Sequence, residues 1–412
     1  MFPRFALYGF LKNLRFFEPF LILFFLQVGL SFFQIGILYA IREILTNLLE
    51  IPSGFLADIY GRKNSMLFSF SAYIISFLIF SFSSGFGLFV LAMFWFACGE
   101  AFRSGTHKAL ILAHLRITGR LSEKLNYYGH TRASSQAGSA LNSLLAAALV
   151  FYTGNYRYIF LAAVVPYLLD LVNLAGYPAE LDEVSSTKGH KKQVLKDYLS
   201  SFLLIFEKSD NRRVFLNSSL FTGCFEASKD YLQPVIKVWA LSLPLLTLYS
   251  ATQRSAVIIG IVYFFIYLLT VLASAKAVKI TSFFRSDKQA LNITYMAGGL
   301  LLLAAGFASY LKLPLISIMA LLILYALHNY RRPVNVHLLS EVIPEKLMAS
   351  GLSAETQMTT LITAAFALLL GWLADIFSVA VALAVSGIIL VLLYLVAHLN
   401  LKKSNQVFEE QF

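Results

Sequence analysis

Gly54-Phe55-Leu56-Ala57-Asp58-Ile59-Tyr60-Gly61-Arg62-Lys63 is a short charged turn set between two long apolar runs, at approximately 33–57 and 64–83. Each run approaches or exceeds the ~20 apolar residues that an α-helix needs to cross about 30 Å of hydrocarbon. Gly61 suits the tight turn between them, and Gly54, lacking a side chain, lets a neighbouring helix approach closely. Asp58 falls at a helix C-terminus, the end where the helix dipole disfavours an anion. It therefore calls for another helix N-terminus or for a cation such as Arg62 or Arg132.

Outward from this stretch the pattern repeats. Apolar runs bounded by charges or turns occur at approximately 14–30, 33–57, 64–83, 87–113, 127–151, 157–177, 214–237, 254–276, 289–310, 314–337, 347–373 and 377–399. Of 412 residues, 58% are hydrophobic and 13% charged, against about a quarter charged in soluble domains. The runs 256–273 and 379–397 show no alternation of polar and apolar residues, which excludes the strands of a membrane barrel. The fold class expected is an all-α membrane protein of twelve transmembrane helices in two six-helix bundles.

The net charge of +11 does not indicate nucleic acid, because the basic residues lie between apolar runs and form no contiguous stripe. Their placement reads as topology. With the N-terminus inside, most Lys and Arg fall on inner segments, while the outer loops hold Arg157, Lys237, Arg254 and Lys312. The positive-inside rule then puts both termini in the cytoplasm of a multi-pass plasma (inner) membrane protein. The first run lacks a small-residue cleavage site and continues into further spans, so it reads as a retained helix. Cys98 and Cys224 lie inside apolar runs and imply no disulfide framework.

Pro178 to Arg213 is the one long polar segment. It divides the chain into an N-terminal six-helix bundle (1–177), a cytoplasmic linker (178–213) and a C-terminal six-helix bundle with a short tail (214–412). Within the linker, Leu195, Leu199, Phe202, Leu203 and Phe206 recur at helical spacing beside Lys196, Asp197 and Lys208. That suits either a helix lying on the inner membrane surface or an ordinary solvated linker. Two halves so joined form the architecture of parallel repeats about an axis along the membrane normal.

The opening decapeptide, G-x-L-A-D-x-x-G-R-K, resembles the loop 2-3 signature of the major facilitator superfamily. The resemblance implies a conformational gate at Gly54, Asp58, Gly61, Arg62 and Lys63, holding the cytoplasmic ends of the halves together in the outward-open state. Glu50-Ile-Pro-Ser-Gly54, Phe102-Arg103-Ser-Gly105-Thr106 and Tyr231-Leu-Gln-Pro234 resemble a prokaryotic, exporter-like branch. Gly371-Trp-Leu-Ala-Asp375 repeats the Gly54-x-Leu-Ala-Asp58 pattern, compatible with inverted triplets within each half. Two departures count against narrower relatives. Residues 127–150 contain no proline, where drug and proton antiporters carry a Gly-Pro pair, and 274–288 contains no sugar-porter-like R-x-G-R-R.

A charge near the bilayer centre costs at least ~3 kcal/mol on insertion scales, so it must be paired, cavity-facing or functional. Span four carries Glu100, Arg103 and His107, and span seven carries Ser219, Thr222, Glu226, Lys229, Asp230 and Gln233, each set spaced to share one helical face. The span seven stripe is expected to face water. Span two adds Arg42, Glu43, Asn47 and Glu50, with Glu50 expected at the contact with span eleven. Span five adds Arg132, span ten His328, and span eleven Glu355. Arg331 and Arg332 read either as part of this set or as a cytoplasmic boundary, and Glu18 is ambiguous. The candidates for a substrate or proton cavity are Glu43, Glu50, Glu100, Arg103, His107, Arg132, Glu226, Lys229, Asp230, His328 and Glu355. Each acid either holds helices together as an ion pair or binds a coupling proton.

These features point to a secondary transporter of a small organic solute working by alternating access, coupled to protons and exporting. The expected partners are that solute, protons and lipid, with no nucleic acid; resemblance implies a monomer. An uptake carrier, uniporter or lipid carrier is the alternative within transport. A membrane enzyme or sensor is the alternative outside it, and it lacks sequence support: there is no G-x-x-x-x-G-K-[ST], H-E-x-x-H or paired Cys-x-x-Cys. No cofactor or metal is expected.

Overall fold

The computed structural model describes residues 1–182, 209–343 and 348–400, and the described residues form helices and turns without a strand. The linker pattern at 195–206 lies outside them. In chain order the helices are α1 (Phe2–Leu11), α2 (Leu21–Gln27), α3 (Phe32–Tyr60), α4 (Arg62–Phe82), α5 (Phe86–Arg103), α6 (Thr106–Ile117), α7 (Lys124–Thr153) and α8 (Tyr158–Ala175). After the linker come α9 (Ser209–Ser228), α10 (Leu232–Ser242), α11 (Ala251–Ala275), α12 (Ala277–Thr281), α13 (Asp287–Tyr310), α14 (Pro314–Val342), α15 (Met348–Ile376) and α16 (Val379–Ala397).

Local chemistry sets the boundaries. Ser31 and Ser250 open α3 and α11 with capping boxes to Gln34 and Gln253, each satisfying two orphan donors of the first turn. Gly61 separates α3 from α4 at φ +94°, a left-handed conformation that favours glycine. The short connections lay successive rods antiparallel, so the turns at Gly61, Gly119 and Gly176 share one end with the linker. The turns at Leu30, Ser83 and Gly154 share the far end.

Among the described residues nine helices are long and apolar enough to cross a membrane, counting α5 and α6 as one. Three further rods, 2–27, 124–153 and 209–242, fall outside that group. The first and third are interrupted near their middles. The first rod starts at Phe2 and not at residue 14; α1 ends at Leu11 and a 3-10 turn at Glu18–Phe20 leads into α2. Lys12, ahead of the expected run, and Arg15, at its start, therefore both sit in the middle of the rod. Hydropathy misplaces the start because it counts a charge as a boundary even when a partner satisfies that charge within the bundle. The third rod breaks at a 3-10 turn, Lys229–Tyr231. The span four rod breaks between α5 and α6 at Gly105, φ +70°.

The rods pack as two groups. α4 packs on α3, α5 and α8, and α1 on α7 and α8; α13 packs on α14 and α16, and α9 on α15 and α16. Stacked phenylalanines, among them Phe17 on Phe160 and Phe80 on Phe160, fill the first group. Val172, Phe265, Phe307 and Leu395 stand exposed on the outside. Such a sheath of large apolar side chains is what a chain in water avoids and lipid accepts.

Two seams join the groups, α3 against α15 and α7 against α11. At the first, a Cβ on Gly36 would run into the Ala367 carbonyl and one on Gly371 into that of Phe32. Glycine is what lets these backbones touch. Gly36→Ala should pry this seam apart at a cost of about 1–3 kcal/mol, read as a lower thermal midpoint of the purified protein. Gly54, by contrast, has nothing within 4 Å of such a Cβ. The close helix approach expected there is absent in this conformation.

Candidate functional site

The interruptions in rods 2–27 and 209–242 place charged side chains between helices in both groups. In the first, Glu100 on α5 is shared by two guanidiniums. Arg15 Nη2 donates to Oε1 at 2.6 Å and Arg103 Nη2 to Oε2 at 2.5 Å. Phenols steer both arginines: Arg15 Nε donates to Tyr167 at 3.1 Å and Arg103 Nε to Tyr73 at 3.2 Å. The i, i+3 spacing of Glu100 and Arg103 thus produces the pair expected of it. His107 does not join them. It follows the break at Gly105, is buried, stacks on Tyr8 at 3.6 Å and meets the Tyr177 hydroxyl at 3.3 Å. The break rotates α6 away from the face of α5, and that corrects the single-face expectation.

In the second group, Glu226 on α9 accepts from Lys229 at 2.6 Å and lies 3.8 Å from His328 of α14. These side chains are partly exposed, whereas Ser219, Asp230 and Gln233 of the same stripe are buried. The stripe therefore does not face water as a whole, because the 3-10 turn redirects its far-end members into the seam between groups. Tyr39 donates to Asp230 at 3.0 Å, Gln233 donates to the Glu18 carbonyl at 3.0 Å and accepts from Ile22 N–H at 2.9 Å, and Tyr267 donates to Glu18 at 3.1 Å. Glu18, ambiguous in sequence, is thus tied to α11.

The remaining candidates are scattered. Glu43 pairs with its neighbour Arg42 at 2.6 Å. Glu50 lies 3.5 Å from Ser104 and so faces the turn between α5 and α6; the contact with α15 is made by Asn47, which donates to Thr360 at 2.5 Å and to the Gln357 carbonyl at 3.0 Å. Arg132 donates to Ser274 of α11 at 2.8 Å. Glu355 accepts from Ser218 at 2.7 Å. Arg331 lies inside the second group and not at a boundary: it is 1% exposed and donates to Asn217 and Thr294.

At the linker end, the turn motif contacts its own group. Asp58 is 59% exposed with Arg62 4.0 Å away, while Lys63 donates through its backbone N–H to Asp182 and through Nζ to the Tyr177 carbonyl. Ser122, Asn126, Gly129, His130 and Ala133 line an open recess of about 560 Å³ at the same end. At the far end, Asp375 of α15 accepts from the Phe32 and Phe33 N–H groups of α3, each at 2.8 Å. The far end is thus bonded across the groups, and the motif residues at the linker end are engaged within one group.

Residues 6–358 match the sequence profile of the Major Facilitator Superfamily. The chain belongs to the Major Facilitator Superfamily. This facilitator is 26% identical over 226 residues to an uncharacterised MFS-type transporter, YxaM, of Bacillus subtilis (strain 168). The match covers 53% of this chain and 54% of that protein, so the chain spans about half the length of the relative. Among solved structures, a point mutant of the nucleoside transporter NupG superposes with a TM-score of 0.79 at 12% identity, covering 96% of this chain and 99% of the other. A POT family transporter in complex with 5-aminolevulinic acid gives a TM-score of 0.70 at 15% identity, covering 96% and 93%. These likenesses establish the facilitator fold.

Proposed function

We propose that this facilitator is a secondary active transporter of a small organic solute, driven by protons, that exports its solute by alternating access. In this reading all twelve rods cross the plasma (inner) membrane, both termini are cytoplasmic, and a monomer suffices. Residues 1–177 and 214–412 rock as two halves joined by the linker 178–213. The observation that carries the reading is the presence of two charged clusters, Arg15–Glu100–Arg103 and Glu226–Lys229–His328. One belongs to each half, and each includes the interruption of its first rod. Charges held there by partners from several helices can exchange those partners for a polar solute and close around it. The turn motif supplies the second state: Asp58, exposed here, would engage the other half when the linker end closes.

A thermal-shift screen of the purified protein against metabolites and drugs tests for the solute, since a compound at 100 times its Kd stabilises the folded form by about 2.7 kcal/mol. The compound found is then loaded into proteoliposomes. Flux driven by an imposed pH gradient supports the reading; equal flux without a gradient would make the chain a uniporter. Glu226→Gln should weaken the thermal shift at least tenfold in apparent affinity, because it leaves Lys229 without its carboxylate.

A further inference from the structure

Asp170 stands apart from the carboxylates described above. It lies on α8, six residues, about 9 Å along the axis, from Gly176 at the linker end, and it is wholly buried. Oδ1 accepts from Asn173 at 3.1 Å, while among the described residues Oδ2 has no hydrogen-bond partner. Glu43, Glu100 and Glu226 each hold a cation at 2.5–2.6 Å, and Asp230 and Glu18 each hold a tyrosine hydroxyl. Adding a proton to any of these five disrupts an interaction; adding one to Asp170 Oδ2 removes a buried charge and breaks no bond.

The first rod and its neighbours surround this carboxyl. From the first rod, Lys12 exerts its charge on Asp170, and Arg4 donates to the Gly176 carbonyl while its own carbonyl accepts from Asn173. Tyr8, also on α1, and Tyr177 face it, and α6 contributes His107 on that tyrosine. From α4 come Tyr73 and Lys63, the latter on the Tyr177 carbonyl, and α7 sends Tyr127 against Phe5.

We infer that Asp170 is the proton-binding carboxylate of the transport cycle. This rests on the proton-driven reading above. A proton taken from water on the linker side bonds to Oδ2. The Asn173 amide, which donates both to Asp170 Oδ1 and to the Arg4 carbonyl of the first rod, carries the loss of that charge to α1 and biases the first rod to move. Return of the proton to water restores the charge.

The test needs no solute. Spin labels at Ser122 and Ser282, two exposed positions at the linker end of the two groups, report the opening there by electron-electron distance in nanodiscs, in a Cys98→Ser/Cys224→Ser background. Between pH 5 and 8 the ratio of the two distance populations should follow one titration, changing by at most about tenfold per pH unit for one proton. Asp170→Asn should abolish the titration, Glu226→Gln should retain it, and Asp170→Glu should retain it with a displaced midpoint. An unchanged midpoint in Asp170→Asn overturns the assignment to Asp170 and leaves proton coupling standing. If Asp170→Asn does not fold, an unchanged midpoint in Asp170→Glu overturns it equally. A wild-type distance that ignores pH defeats the proton-driven reading itself.

Discussion

Glu100→Ala should destabilise this facilitator by about 3 kcal/mol, and by more than loss of either arginine that Glu100 holds. Breaking a buried ion pair by deleting one member costs about 3–5 kcal/mol because the survivor is left uncompensated; side chains here are about a fifth exposed, which favours the lower figure. The asymmetry comes from sharing. Each carboxylate oxygen takes a different guanidinium, one from the interruption of the first rod and one from α5. Without Glu100, two cations remain beside neutral hydroxyls such as those of Tyr73 and Tyr167. Arg103→Ala leaves the Arg15–Glu100 pair whole, and Arg15→Ala leaves Glu100–Arg103. Thermal midpoints in detergent at neutral pH should therefore rank Glu100→Ala lowest. Equal losses for Glu100→Ala and Arg103→Ala would mean that Arg15 contributes nothing and that the cluster is a single i, i+3 pair.

The sequence made the membrane helices and the family legible because both are written in local signals: apolar runs of sufficient length, and a decapeptide whose glycine and charges have fixed spacing. It also put Glu100 with Arg103, and Glu226 with Lys229, on one helical face each, which needs only helical geometry. What it did not show depends on interruptions. Lys12 and Arg15 looked topogenic, although Phe2, Phe5, Tyr8 and Leu11 already supplied an apolar stretch on their N-terminal side. The break at Gly105 parted His107 from Glu100, and the turn at Lys229–Tyr231 sent Asp230 and Gln233 into the seam. Asp170 was invisible for a different reason. One acid in an apolar run gives no period to read, and its burial is set by α1, a helix that the hydropathy reading had not yet begun.

Asp375→Ala should release the far end of the α3–α15 seam and shift the protein toward the state open there. Phe32 and Phe33 are the first residues of α3, so their N–H groups have no partner within the helix. Asp375 supplies both at 2.8 Å and brings a negative charge to the positive end of the helix dipole. Loss of such a cap costs about 1–2 kcal/mol, which changes a two-state ratio by a factor of about 5–30. Labels at Ser84 and Lys312, on far-end turns of the two groups, should show a longer separation in Asp375→Ala at the expense of the wild-type distance. The echo between Gly54-x-Leu-Ala-Asp58 and Gly371-x-Leu-Ala-Asp375 then acquires a physical meaning. Each aspartate ends a helix, Asp375 capping the start of a helix in the other group while Asp58 is exposed with Arg62 of its own group 4.0 Å away. Asp58→Ala should accordingly leave the far-end distance at its wild-type value, or enrich it, because it weakens the opposite state. If Asp375→Ala leaves that distance unchanged, backbone packing at Gly36 and Gly371 holds the seam, and the two aspartates are not alternating latches.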